Sequence, residues 1–198
     1  MPAPVTAAAA AVTVAFVTTV CPAPASAQAI AGTTLVQTAV LAQAGSAADN
    51  EPVRNIEEWN LPSRGEQLAI SGYDPVAYFP EGGSKPTKGD KKITAEHEGV
   101  TYRFKTAKNR DLFLAKPDRY EPAHGGWCSY AMLEGGKTEP NPKTFIVQDD
   151  RLFLFYNAWG TNTRSLWEKS DHDSQASTSD TQWESISGEE KRQVEAAN

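Results

Sequence analysis

The sequence predicts an α+β fold: a small single domain of short β-hairpins packed with short helices. Three observations carry that expectation. Short stretches of strand-like alternation end in Gly, Pro, Asn or Asp turns, and they alternate with stretches of helical character. Of the 18 aromatic residues, all but Phe16 fall between Trp59 and Trp183, which confines the material for a core to one part of the chain. No Asp, Glu, Lys or Arg precedes Asp49, so the first 48 residues are of a different kind. A composition of 39% hydrophobic and 22% charged residues excludes a disordered or wholly membrane-embedded chain. A net charge of −6 argues against nucleic acid as a partner, because phosphate binding needs a basic face.

The apolar run Ala7–Val20 has the length of a signal-peptide core and is short for a bilayer span. Pro22 and Pro24 break it, and Ala25-Ser26-Ala27 supplies the small residues of a cleavage site, so residues 1–27 read as a signal peptide. A second apolar stretch, Ala29–Ala48, allows cleavage as late as residue 48. The first residues lack the usual Lys or Arg. Cys21 as a lipoprotein anchor is the alternative, although Thr18-Thr19-Val20 makes a poor lipobox. The expected location is periplasmic or secreted, with no transmembrane span in the mature chain. Export would leave Cys128 as the one remaining cysteine, unable to form an internal disulfide.

Residues 49–65 are polar, carry two prolines and read as a linker, with the domain over 66–187 and a charged tail over 188–198. Inside the domain, Gly72-Tyr73-Asp74-Pro75 is turn chemistry, followed by a strand-like Val76–Phe79 that Pro80 ends. Ile93–Glu96 and Val100–Lys105 form a hairpin across His97-Glu98-Gly99. Thr106 reads as the N-cap of a helix that carries Leu112, Phe113 and Leu114 and ends before Pro117. Thr144–Val147 and Leu152–Tyr156 flank a tight turn at Asp149-Asp150, and their apolar residues predict strands mostly buried on both faces. A helix after Asn157 is expected to carry Trp159, Leu166 and Trp167. Ser170–Gln182 reads as a solvent-exposed polar stretch, and Trp183 and Ile186 as the apolar side of a last short helix.

The order of these pieces resembles the exported bacterial YHS-domain family. The residues that carry the resemblance are Gly72-Tyr73-Asp74-Pro75-Val76-Ala77-Tyr78-Phe79, then Gly99-Val100-Thr101-Tyr102-Arg103-Phe104, then Pro117-Asp118-Arg119-Tyr120-Glu121-Pro122, then Gly125-Gly126-Trp127-Cys128-Ser129. They match GYDPVAYF, a Gly-x-x-Tyr/Trp-x-Phe strand, P-x-x-Y-x-P and YGG[YW]CA. Leu152–Asn157 and Trp167 fill the places of the family's closing hairpin and helix, so the resemblance covers about residues 66–187. It implies a fold without implying a known reaction. Metal-binding relatives carry cysteines where this chain has Val76-Ala77-Tyr78 and Phe104-Lys105-Thr106, which argues against a multi-cysteine metal site. Some exported members place selenocysteine at the position of Cys128, which implies chalcogen chemistry there. His124 stands where the family has Tyr, and Ser129 where it has Ala.

Cys128 is accordingly the leading candidate for a site. Gly125-Gly126 precedes it and Trp127–Leu133 has helical character, which would place the thiol in a first helical turn, where free N–H groups and the dipole favour a thiolate. A small apolar side chain packed under Trp127 and Tyr130 is the alternative. His124, Cys128 and Met132 are spaced four apart and would offer N, S and S donors suited to a soft metal ion such as copper, if one helix held all three. Asp74 could act as a base, or satisfy its own turn; Tyr73 and Trp127 are further pocket candidates. Three functions follow: a binding module for a soft metal or small ligand at the Cys128 pocket, a thiol-dependent oxidoreductase that needs an external thiol for want of a resolving cysteine, or a structural or partner-binding domain. No phosphate loop, Ser-His-Asp ordering or paired carboxylate motif marks a hydrolase or nucleotide enzyme.

Overall fold

A computed structural model describes residues 54–62 and 65–192. The leader, its cleavage points, Cys21 and the end of the charged tail lie outside them. The described chain is an α+β domain of antiparallel two-stranded hairpins and short helices. Among the described residues, no helix is long and apolar enough to cross a membrane.

The first hairpin pairs β1 (Asp90–His97) with β2 (Val100–Phe104) around Glu98-Gly99, both at positive φ as a two-residue turn of this hand requires. Val100, Tyr102 and Phe104 point from β2 into the core. Thr106 then caps α1 (Ala107–Ala115), its hydroxyl oxygen accepting from the Asn109 N–H at 3.1 Å. Asn109 and Phe113 are the buried residues of that helix and Leu114 is exposed. Pro117 opens α2 (Pro117–Tyr120), and α3 (Ser129–Met132) follows a turn at Ala123–Gly126.

The second hairpin is the centre of the molecule. It pairs β3 (Asn141–Gln148) with β4 (Arg151–Phe155), closed by Asp149-Asp150. Leu152 and Leu154 enter the larger core cluster, with Val76, Phe79, Tyr102 and Phe113. Phe153 and Phe155, on the opposite face, build a second cluster with Trp167 and Ala176. β4 is thus a wall shared by two cores, as a strand apolar on both faces should be, while β3 is half-buried.

Four expectations are corrected. Val76–Tyr78 is a 3₁₀ turn and not a strand, because Asp74 Oδ1 accepts from the N–H groups of Val76 (2.9 Å) and Ala77 (3.3 Å) and winds the backbone locally. The helix expected after Asn157 starts later: β5 (Asn157–Ala158) and β6 (Thr161–Asn162) form a miniature hairpin with Trp159 at its tip, and Asn162 caps α4 (Thr163–Trp167). Ser170–Gln182 belongs mostly to α5 (His172–Ser187), capped by Asp171. Gln175, Ala176, Ser179, Trp183 and Ser187 form its buried face, and its serines bond inward, Ser179 Oγ donating to the Ser129 carbonyl at 3.0 Å. The stretch read as a linker packs into the domain from Arg54 onward. Trp59 is buried, and its indole N–H donates to Glu189 at 2.9 Å, so the two ends of the domain clasp each other.

Candidate functional site

Cys128 is the N-cap residue of α3, with an extended backbone, and it is fully buried. α3 has four residues, and the sulfur caps none of its N–H groups. The thiol faces a different segment. Sγ accepts from the Tyr156 N–H at 3.2 Å and lies 3.4 Å from the Thr163 hydroxyl. The Cys128 N–H in turn donates to the Thr138 carbonyl at 3.0 Å. One residue therefore ties Thr138 and Tyr156 together from behind.

Those two residues line an open groove of about 370 Å³, together with Glu139, Pro140 and Asn141 from one segment and Asn157 and Ala158 from the other. Asn157 Nδ2 donates to the Thr144 hydroxyl at 3.1 Å, and Asn141 Nδ2 to the Asn157 carbonyl at 3.3 Å, which fixes the two segments against each other.

His124 lies on the other side of α3. It is 3% exposed and sits at φ +55. The neighbouring Gly125, at φ +58, admits no side chain, because a Cβ there would approach the Trp183 ring to 2.5 Å. Nε2 of His124 lies 3.0 Å from Asp180 Oδ1 and Nδ1 lies 3.1 Å from Ser129 Oγ. A carboxylate only accepts, so Nε2 carries the proton and Nδ1 accepts from the Ser129 hydroxyl. Arg151 donates to both Asp180 oxygens, at 2.6 and 2.9 Å. Ser129–His124–Asp180 has the connectivity of a nucleophilic triad, yet Ser129 is wholly buried and no reactant reaches it. Beside it lies a pocket of about 30 Å³, also lined by Glu121 and Arg192, with room for about two water molecules.

Burial pushes the His124 pKa down against the opposing pull of Asp180, while Asp180 is held down to about 2, its burial outweighed by the hydrogen bonds and charge of His124 and Arg151. Both shifts act in one direction. Below pH about 6.5 the unfolded chain takes up a proton that buried His124 refuses, so stability falls with pH until the folded imidazole titrates. The Asp180 contribution is complete above its unfolded pKa and is lost as pH falls through about 2. Urea unfolding midpoints should therefore decline steadily from pH 7 to 5, and His124→Gln should flatten that decline. A midpoint that is constant or rises over this range in the native sequence would contradict the assignment.

The three proposed metal donors are each placed elsewhere. Met132 is in the larger core cluster, Cys128 faces Tyr156 and Thr163, and both His124 nitrogens are occupied. Asp74 is fully buried and holds four donors, Lys105 N–H and Asn109 Nδ2 among them at 2.7 Å each, which makes it a hub between the Val76–Tyr78 turn, β2 and α1. Tyr73 is half-buried with the Lys88 ammonium 4.5 Å from its ring, and Trp127 donates to the Glu58 carbonyl. Sequence reasoning noted Ser129 only as a departure from the family motif, and it missed Asp180, Arg151, Thr163 and the groove. It also missed a cluster of His97, Asp118 and Glu121, whose carboxylates are already neutralised by Arg54 and Arg192. No family model matches the chain, and no curated protein or solved structure is similar to it.

Proposed function

We propose that this chain is a non-catalytic small-ligand binding module of the exported YHS type, and that its site is the groove backed by Cys128. One observation carries the reading: Cys128 hydrogen-bonds both segments that line the groove, through its N–H to Thr138 and its sulfur to Tyr156. The family's chalcogen position then has a positioning role, and the groove presents the ligand-facing groups. A soft metal at the sulfur would have to displace the Tyr156 N–H, and a redox nucleophile would have to reach solvent from full burial. The buried sulfur thus favours the groove over the copper and thiol-exchange readings.

Two readouts on the full chain test the proposal. The native thiol should resist iodoacetamide and react only on unfolding. Backbone amides of Thr138–Asn141 and Tyr156–Ala158 should shift saturably with at least one member of a library of neutral, anionic and cationic small molecules. Fast native alkylation, protected by one equivalent of Cu(I), would restore the metal reading. Groove amides that no library member moves would remove the binding reading.

A further inference from the structure

We infer that the groove and Trp159 together form a binding site for a neutral β-linked pyranose oligosaccharide, with the Trp159 indole as a stacking platform. The inference rests on the groove reading and names its ligand class. Trp59, Trp167 and Trp183 are buried and Trp127 is half-buried, whereas Trp159 is 96% exposed. One exposed apolar residue needs no explanation by itself. This one also stands at φ +53, followed by Gly160 at φ +80, in a two-residue hairpin turn. Such turns favour Asn-Gly or Gly-Gly, and a bulky side chain in the left-handed region is strained. Trp159 therefore fits neither burial nor turn chemistry, and the fold gains nothing visible from it.

Trp159 is not itself a lining residue of the groove, but it follows two of them directly along the chain: Asn157 and Ala158 line the groove and lead into the hairpin tip. The groove volume of about 370 Å³ lies in the usual range of small-molecule sites. Its polar lining residues are Thr138, Glu139, Asn141, Tyr156 and Asn157, of which Glu139 alone carries a charge. No Lys or Arg lines it, which disfavours phosphates and carboxylates. More of its exposed lining is apolar than polar, with Pro140 and Ala158 as its apolar residues, which suits the C–H face of a ring. A pyranose with equatorial substituents matches both features: a flat C–H face to lie on an indole, and a rim of hydroxyls for amide and carboxylate partners. β-linkage keeps successive rings extended, so one ring can stack on the hairpin tip while the next reaches the groove.

The test is calorimetric titration of the full chain with cellotetraose and chitotetraose, up to about 10 mM. Saturable binding of at least one is expected. Trp159→Ala should weaken it by at least about tenfold, and Trp159→Phe by less. Trp159→Gly should abolish binding and leave the melting temperature unchanged or higher, because the replacement suits the turn. Failure of both saccharides to bind, or equal binding by Trp159→Ala, would overturn the inference. If the saccharides fail while another library member still moves the groove amides, the groove reading stands and the ligand class is wrong. If nothing moves them, both fall.

Discussion

Glu121→Ala should cost about 3–5 kcal/mol of folding stability, because it takes the fully buried carboxylate away from a buried guanidinium and leaves that guanidinium only the part-exposed Glu98. The Glu121 side chain is wholly buried and that of Arg54 is 1% exposed. Arg54 grips the carboxylate with both terminal nitrogens, at 2.8 and 2.9 Å. The Tyr102 hydroxyl donates to the same carboxylate at 2.6 Å and Arg192 lies 3.0 Å from it. Arg54 also pairs with Glu98, and its guanidinium lies 4.3 Å from the Trp59 ring centroid. Glu121 is thus the charge on which β2, the N-terminal segment and the C-terminal segment converge. The asymmetry of buried pairs gives a sharper version of the test. Replacing both partners, as in Arg54→Met with Glu121→Leu, should be milder than Glu121→Ala alone, since no naked charge remains to be desolvated. Guanidinium unfolding reads both, as a shift in midpoint with an unchanged slope. A loss below about 1 kcal/mol for Glu121→Ala would mean that water reaches Arg54 and that the two ends do not clasp.

The contrast between what the sequence showed and what it hid follows from the range of the interactions. Both long hairpins were legible because their causes are local: alternation in the first, continuous apolar runs in the second, and turns at Glu98-Gly99 and Asp149-Asp150. α1 was legible through its Thr106 cap and Pro117 stop. The end of α5 was legible through Trp183 and Ile186, but its first turns were hidden because their buried residues are Gln175, Ala176 and Ser179, whose helical spacing is invisible to a search for apolar residues. Val76–Tyr78 was misread because its residue types suit a strand, while the deciding group is the neighbouring Asp74 carboxylate. At the site, Cys128 and His124 stood out by residue type and motif. Their partners Tyr156, Thr163 and Asp180 lie 28, 35 and 56 residues away, on other elements, and no spacing rule links them. Asp74 and Met132, singled out for chemistry, serve packing and turn formation. Trp159 was assigned to a helix, and only the tertiary structure places it alone at a hairpin tip.

Phe153→Ala and Phe155→Ala should each cost about 3–5 kcal/mol, for a reason specific to the second core cluster. The larger cluster has many aromatic members and could partly close over a single void. The second is small: Phe153, Phe155, Trp167 and Ala176, with Ala123, Tyr130, Leu133 and Ile146 at its margin. Phe153 and Phe155 both meet the Trp167 ring, at centroid distances of 5.7 and 5.4 Å, and Phe153 also lies 5.9 Å from the His124 ring. Either truncation opens a cavity onto Trp167, held in a five-residue helix that has little stability of its own. β4 is paired with β3, is also bridged to Pro122 and Cys128, and carries the other cluster on its opposite face, so it cannot shift to fill the void without losing Leu152 and Leu154. The double variant should cost less than the sum of the two, since both voids merge at one ring. α4 also carries Thr163, which faces the Cys128 sulfur, so loosening Trp167 should expose the thiol. Iodoacetamide should therefore label Phe155→Ala under native conditions much faster than the parent chain, while Trp159→Ala changes neither stability nor labelling. Losses below about 1 kcal/mol for both phenylalanine variants would show that the second cluster is open to solvent and that β4 is not a wall between two cores.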